Sequence, residues 1–527
     1  MASASAAATP TGARAAGLSR DILTLAVVVI LGMIMTVLDL TIVNVAIPTL
    51  GADLKTSIPS VQWVLTGYML AFAAVIPVTG WAVERFGAKR VWLAALALFL
   101  AGSALAGASW SAGSLIAFRV IQGLGAGMIV PTGQTILAQA AGPQRMGRVM
   151  SVIGLPMMLA PVFGPVIGGA ILGAAGWRWI FFINLPVGAA AVAAAWRLLP
   201  EARPQLGQRL DARGLLLLCP GIAVFLYGMS QAGNNGDFAT TPTIAAAAGL
   251  TLIGLFFWHA ARRGEQALID VSLLSRRGFA AAAALNLLLM AGLFGSLILI
   301  PLYYQVVRHQ GTLATGMLLA PQGIGAALSL PLAGWLTDKA GARGVTVSGI
   351  TVAAGAMLAY TQVGSRTSYV FLAGVLGVIG LGLGATVAPS MAAAFQALDR
   401  AETPRGTSAL NAIQRIAGAV GTALFAIILQ HVITADLPRH PGGGTAITAL
   451  SQQAREHAAA TLAGAFGTTF WAAVALTAAA LIPALLLPRA PHPARAHGSP
   501  AGGQETASQP ATSGTTTSPI PAKEPRR

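Results

Sequence analysis

"GWAVERFGAKR", residues 80–90, returns as "GWLTDKAGARG" at 334–344, a shift of 254 residues. "GLGAGMIVP" at 123–131 returns as "GLGLGATVAP" at 380–389, a shift of 257. Two matches at nearly one offset divide the 527-residue chain into two related halves. Around them lie apolar runs of about 20 residues, the length that carries a helix across the hydrocarbon core of a bilayer. The composition agrees: 55% of the residues are hydrophobic and only 9% charged, with a mean hydropathy of +0.72. A soluble domain carries roughly a quarter charged residues. Backbone groups in lipid must bond within their own segment, so serial apolar runs fold as helices. The expected fold class is an all-α polytopic membrane protein.

Fourteen spans are expected near 22–48, 60–80, 91–110, 113–137, 147–173, 178–199, 213–231, 242–261, 279–304, 314–336, 345–362, 369–393, 406–432 and 466–487. The repeat assigns six to an N-terminal bundle, 22–199, and six to a C-terminal bundle, 265–487. The other two are inserted within a linker, 200–264. The first run is followed by no convincing small-residue cleavage site and reads as a retained helix. Residues 1–21 and 488–527 are rich in small, polar and proline residues and are expected to be disordered tails. A long external loop is expected at 433–465, with a short helix around 446–462. Cys219 is the single cysteine, so no intramolecular disulfide can form.

Orientation follows from Lys and Arg. With the N-terminus inside, 24 of the 32 basic residues fall on the cytoplasmic side and six on the other, Arg119 and Arg415 lying within spans. Both termini are then cytoplasmic. The net charge of +16 forms a basic rim against anionic lipid headgroups and calls for no nucleic-acid partner.

Asp39, in "VLDLTIVNVAIP" (37–48), is the only one of sixteen acids placed deep within a span. A charged side chain at mid-membrane costs about 2.5–3.5 kcal/mol. With helix 1 ending near Pro48, Asp39 lies about 13 Å deep at 1.5 Å per residue. Helix 4, starting near Ser111, puts Arg119 about 12 Å below the same face. Neither charge repeats: the shifted positions hold Leu293 and Leu376. A mobile pair could hold and release a proton, since burial and a nearby Arg pull a carboxyl in opposite directions. The alternative is a static ion pair that fixes helix packing.

At these residues the chain resembles the major facilitator superfamily, in particular its fourteen-helix drug:proton antiporter branch (EmrB/QacA type). The first-helix pattern L-D-x-T-I-V-N-V-A-x-P stands unbroken from Leu38 to Pro48, and R-x-x-Q-G-x-G matches Arg119, Gln122, Gly123 and Gly125. The antiporter pattern G-x-x-x-G-P-x-x-G-G matches Gly164, Pro165, Gly168 and Gly169, with Ala160 in place of its first glycine. The helix 2–3 loop pattern G-x-L-A-D-R-x-G-R-K matches Gly80, Arg85, Gly87 and Lys89, and departs at Ala82, Glu84 and Ala88. The resemblance implies a bacterial cytoplasmic membrane location and a major facilitator fold of two bundles that rock about a central site. It assigns Arg119 to proton coupling, and the proton gradient, with no cofactor, would supply the energy. Some relatives in this branch use a periplasmic adaptor, which the external loop could receive; a monomer is otherwise expected.

Other groups have local readings. Ala160, Gly164 and Gly168 make a smooth face on helix 5, suited to close helix approach or to a seal between the halves, and Gly164-Pro165 to a hinge. Glu84 beside Arg85, Lys89 and Arg90, echoed by Gly334, Asp338 and Lys339, reads as a cytoplasmic gate of charge pairs or as positive-inside anchoring. Candidate cavity residues are Asn44, Trp63, Tyr68, Gln122, Asn286, Tyr303, Gln305, Gln322, Asn411, Gln414 and Arg415; helix–helix hydrogen bonding is the competing role for each. The segment 176–188, "GWRWIFFINLPVG", reads as an outer-interface anchor without chemistry.

The expected function is proton-coupled export of lipophilic drugs or other amphipathic small molecules. With one deep acid, the cargo would be monovalent lipophilic cations, or neutral or weakly acidic amphipaths. A narrow self-protection exporter of one metabolite or antibiotic, or a non-efflux facilitator, shares the fold. A nucleotide-driven pump is excluded by the absence of any Gly-Lys pair, and no enzyme motif such as H-E-x-x-H or G-x-S-x-G occurs.

Overall fold

The computed structural model describes residues 19–201, 210–235, 239–436 and 452–488. Among them the helices are α1 (Arg20–Asp53), α2 (Ile58–Phe86), α3 (Ala88–Gly107), α4 (Ala112–Ala141), α5 (Met146–Ala175), α6 (Trp179–Leu198), α7 (Ala212–Asn235), α8 (Thr240–Arg263), α9 (Arg277–Val306), α10 (Thr312–Ala340), α11 (Ala342–Tyr360), α12 (Tyr369–Gln396), α13 (Thr403–Asp436) and α14 (Gln452–Ala479). Thirteen are long and apolar enough to cross a membrane. The fourteenth is α5, bent by 44° between Met146–Ala160 and Phe163–Ala175. Proline at 161 removes a backbone donor there, the usual cause of so sharp a kink, so the bend precedes the Gly164-Pro165 step where a hinge was expected.

The sequence marks the helix ends. Ser19, Ser57 and Ser111 cap α1, α2 and α4 by accepting from backbone N–H groups of the first turn. Gly87 and Gly341, 254 residues apart, close α2 and α10 at φ of 86° and 87°, a conformation that favours glycine.

Packing repeats with the sequence. In the first half α2 and α3 lie on α4, and α1 lies on α5 and α6; in the second, α10 and α11 lie on α12, and α9 on α13 and α14. The repeated "GLG" makes the closest of these contacts. A Cβ on Gly123 would stand 2.5 Å from the carbonyl oxygen of Tyr68, and one on Gly380 would stand 2.0 Å from that of Gln322. Tyr68 and Gln322 are again 254 residues apart. Only glycine lets each pair of backbones approach so closely.

The halves meet where the second helix of one packs on the fifth of the other, α2 on α13 and α10 on α5. The α7–α8 hairpin leans on both α2 and α13, so it covers one of these two seams.

Several expected boundaries shift. Helix α1 begins at Arg20, inside the expected tail, because Ser19 caps it, and it continues through Pro48 to Asp53. The stretch 433–465, expected as an external loop, is helical up to Asp436 and again from Gln452. Residues 437–451, and with them the first part of the short helix expected at 446–462, lie outside the described residues. So do 1–18 and 489–527, which hold nearly all of the expected tails.

Candidate functional site

Asp39 and Arg119 meet in the interior of the first half, both fully buried. Arg119 Nη1 donates to Asp39 Oδ2 at 2.5 Å and to Gln122 Oε1 at 2.7 Å. Gln122, one helical turn from Arg119 on the same face of α4, donates through Nε2 to Asp39 Oδ1 at 2.8 Å. Arg119 Nε donates to the carbonyl of Val64 on α2 at 3.2 Å, and its guanidinium lies 4.0 Å over the Tyr68 ring. The Tyr68 hydroxyl donates to the Thr36 carbonyl of α1. Arg119 Nη2 is buried without a hydrogen-bond partner.

A fourth member was missed. Asn184 of α6 donates through Nδ2 to Asp39 Oδ1 at 3.0 Å and to Ser103 Oγ at 3.0 Å, and Ser103 donates in turn to the Phe181 carbonyl. The "INLP" segment therefore carries chemistry, contrary to the expectation that 176–188 is only an anchor. Trp177 corrects that reading too, being buried with its indole donating to Asp53; Trp179 alone of the two is exposed. An Asn in an apolar span was the signal available, since a polar group at that depth needs a partner.

The Asp39 carboxylate thus accepts from Arg119, Gln122 and Asn184, an arrangement that suits the ionised acid. In the second half the positions equivalent to Arg119 and Gln122 are Leu376 and Ile379, both buried. The fold packs without these charges where no charge is needed.

A second constellation joins the halves at the end where the basic loops gather. Arg405, at the start of α13, donates through Nε and Nη2 to Glu84 Oε2 at 2.9 and 2.8 Å. Asp338, at the end of α10, accepts from the backbone N–H groups of Gly147 and Arg148 at the start of α5, and pairs with the Arg148 side chain at 3.3 Å. Glu84, expected in a gate of charge pairs, pairs with an arginine of the other half. Lys89 is half-buried, and Arg90 and Lys339 are exposed. Lys339 lies 4.1 Å over the Trp335 ring. Gly80 and Gly334 let the helices close: a Cβ on Gly80 would meet Arg405 Cα at 3.0 Å, and one on Gly334 would meet Ser151 Oγ at 2.2 Å. Ser151 donates across the seam to the Leu330 carbonyl, and Asn411 to Gln134. Beyond this end α13, buried without interruption from Thr403 to Ala412, becomes partly exposed.

The smooth face of α5 packs inside its own half rather than across the seam. A Cβ on Gly164 would meet Thr41 Oγ1 at 1.9 Å and one on Gly168 would meet Ile42 at 3.2 Å, both on α1. Ala160 is buried, whereas Pro165 and Gly169 are exposed. The spacing fixes which residues share a face but not which helix meets them.

Of the candidate cavity residues, Tyr68 and Gln122 are part of the Asp39 network. Asn286 is buried, donating to the Ala282 carbonyl and accepting from Gln414, and the Tyr303 hydroxyl donates to the Gly364 carbonyl. Trp63 stacks on Tyr227 of α7 with centroids 5.7 Å apart. Asn44 and Gln305 are exposed and Gln322 is half-buried. Arg415 lies over the Phe72 ring. Of these residues, Asn286 and Gln414 bond each other, and Arg415 reaches the aromatic pair Phe72 and Tyr68.

Residues 29–422 match the family model described as Major Facilitator Superfamily. The chain is 41% identical over 407 residues to the Multidrug resistance protein B homolog of Mycobacterium tuberculosis, covering 77% of this chain and 75% of that protein. It is 33% identical over 398 residues to the Multidrug export protein EmrB of Haemophilus influenzae, covering 75% and 78%. Among solved structures, the human organic anion transporter MFSD10 (TETRAN) superposes with a TM-score of 0.56 at 16% identity, over 87% of this chain and all of that one. The likeness to that structure is one of fold.

Proposed function

Because the chain belongs to the Major Facilitator Superfamily, we propose that it exports lipophilic drugs or other amphipathic small molecules across the cytoplasmic membrane in exchange for protons. The names of the two bacterial relatives support the cargo class. The observation that carries the proton step is the buried Asp39–Arg119–Gln122–Asn184 network of the first half, where the second half has Leu293, Leu376 and Ile379 in place of Asp39, Arg119 and Gln122.

With the basic end cytoplasmic, the pairs Glu84–Arg405 and Asp338–Arg148 close the inside, and this conformation faces outward. A proton taken up by Asp39 removes the charge that holds Arg119. The guanidinium keeps Val64 and Gln122 as acceptors, so α4 and α2 stay joined while α1 is loosened. The cytoplasmic pairs then part, the proton leaves inward, and cargo replaces it. Each charge moved is worth about 2.3 kcal/mol per 100 mV of membrane potential.

The test is transport in proteoliposomes under an imposed pH gradient, with a panel of lipophilic compounds. Wild-type protein should exchange protons for several of them, and Asp39→Asn should insert normally but release no protons on drug addition. Full antiport by Asp39→Asn would refute the proton assignment, and transport of a single compound would replace broad export by narrow.

A further inference from the structure

Arg415 is a second guanidinium at membrane depth, and the mechanism above does not use it. It is the thirteenth residue of α13, about 18 Å along the helix at 1.5 Å per residue. Its Cζ lies 4.3 Å over the Phe72 ring. Among the described residues it has no hydrogen bond and no carboxylate within ion-pair distance, and its side chain is only partly buried. The one acid at comparable depth, Asp39, is already occupied by Arg119, Gln122 and Asn184.

The surroundings are those of a receptor rather than of a clamp. A guanidinium that only ties helices together would donate to a carbonyl or an acid, as Arg119 does to Val64 and Asp39. The neighbouring amides of α13 are satisfied elsewhere, Asn411 by Gln134 and Thr407, and Gln414 by Asn286. Phe72 stands one turn from Tyr68, ring centroids 6.1 Å apart, so helix α2 presents two aromatic rings, one carrying each guanidinium. The stretch of α13 holding Arg415 begins where continuous burial ends, at residue 413. A fixed, half-buried cation held over the buried Phe72 ring, with its donors free, matches an oxyanion.

We propose that Arg415 binds the anionic group of the cargo, a carboxylate or sulfonate on an apolar body, from its place over the Phe72 ring. The proposal rests on the export reading and narrows it: amphipathic weak acids are bound in preference to cations of the same shape.

The experiment measures binding, apart from transport. The purified protein in lipid nanodiscs is titrated calorimetrically with 2-naphthylacetate and with 2-naphthylacetamide, which share a ring and differ in charge. Wild type should bind the acid at least about tenfold more tightly, the lower range of a hydrogen bond to a charged group. Arg415→Gln should lose that preference and leave amide binding unchanged, while Arg415→Lys should keep part of it, since an ammonium lacks the planar fork. An unchanged melting temperature would show that each variant is folded. Equal binding of the two compounds by wild type, or a preference that survives in Arg415→Gln, would overturn the proposal. If the preference holds but proteoliposomes show no proton-driven exchange, the export reading fails and the anion site stands.

Discussion

Gly147→Ala should pry open the cytoplasmic seam. A Cβ at this position would lie 2.5 Å from the Gly334 carbonyl oxygen, 2.7 Å from Asp338 Oδ1 and 3.0 Å from Thr337 Cβ. The nearest of these is backbone of α10, which no rotamer change can move aside. Residue 147 is helical here; with α5 moving as a rigid helix, the better helix propensity of Ala cancels between conformations and leaves the clash as the difference. Overpacking of this kind costs about 1–3 kcal/mol. At 1.4 kcal/mol per factor of ten, the equilibrium should move about 5- to 150-fold toward the state in which α5 and α10 have parted. The assay is pulsed electron resonance between spin labels at Gln144→Cys and Gly344→Cys, both exposed, in a Cys219→Ser background. The mutant should show a longer separation as its main population. Gly169→Ala, whose Cβ would meet nothing within 4 Å, should leave the distribution alone. A folded Gly147→Ala protein with the wild-type distance distribution would refute the reasoning.

Glu84→Gln should act in the same direction from the other seam. It leaves the buried Arg405 without its carboxylate, a loss of up to about 3–5 kcal/mol for a buried pair, and the same label pair should report it; the double exchange Glu84→Arg with Arg405→Glu should restore part of the closed population. Asn184→Leu removes one donor from Asp39 and leaves Ser103 short of a partner, so the melting temperature should fall by the equivalent of about 1–3 kcal/mol and proton-coupled transport should weaken; an unaltered protein would remove Asn184 from the network. Asp211, outside the spans, ties the inserted hairpin together. Burial pushes its carboxyl up, but hydrogen bonds from His259 and the backbone N–H groups of Gly214 and Leu268 outweigh this and hold it below the ordinary value. The resulting stability is present above the ordinary carboxylate value and is lost as pH falls through the lowered folded one. Asp211→Asn should therefore lower the melting temperature at neutral pH and narrow its gap to wild type in acid; a gap constant down to the acid limit would contradict the assignment.

How far the sequence could be read depended on whether a feature repeats locally or is completed by a distant partner. The spans, the two halves and the Asp39–Arg119 pair were legible, because apolar length, offset and depth are properties of single segments. Asn184 was not, since its role exists only where α6 crosses α1 and α3. The gate shows the boundary between the two cases. Glu84 and Asp338 were found through the offset of 254, but their partners lie 321 and 190 residues away in the chain. The offset of 257 nevertheless relates Arg148 to Arg405, so each motif acid grips the first turn of the fifth helix of the opposite half.

The same comparison explains the departure at position 84. The residue equivalent to Gly147 is Pro404, which has no N–H to offer. Asp338 is short enough to sit against the backbone donors of Gly147 and Arg148. Its counterpart faces a first turn without that donor and must reach the guanidinium of Arg405 instead, which one further methylene allows. Glu at 84 and Pro at 404 are thus a matched pair, and restoring the family's Asp at 84 alone should weaken the seam rather than repair it.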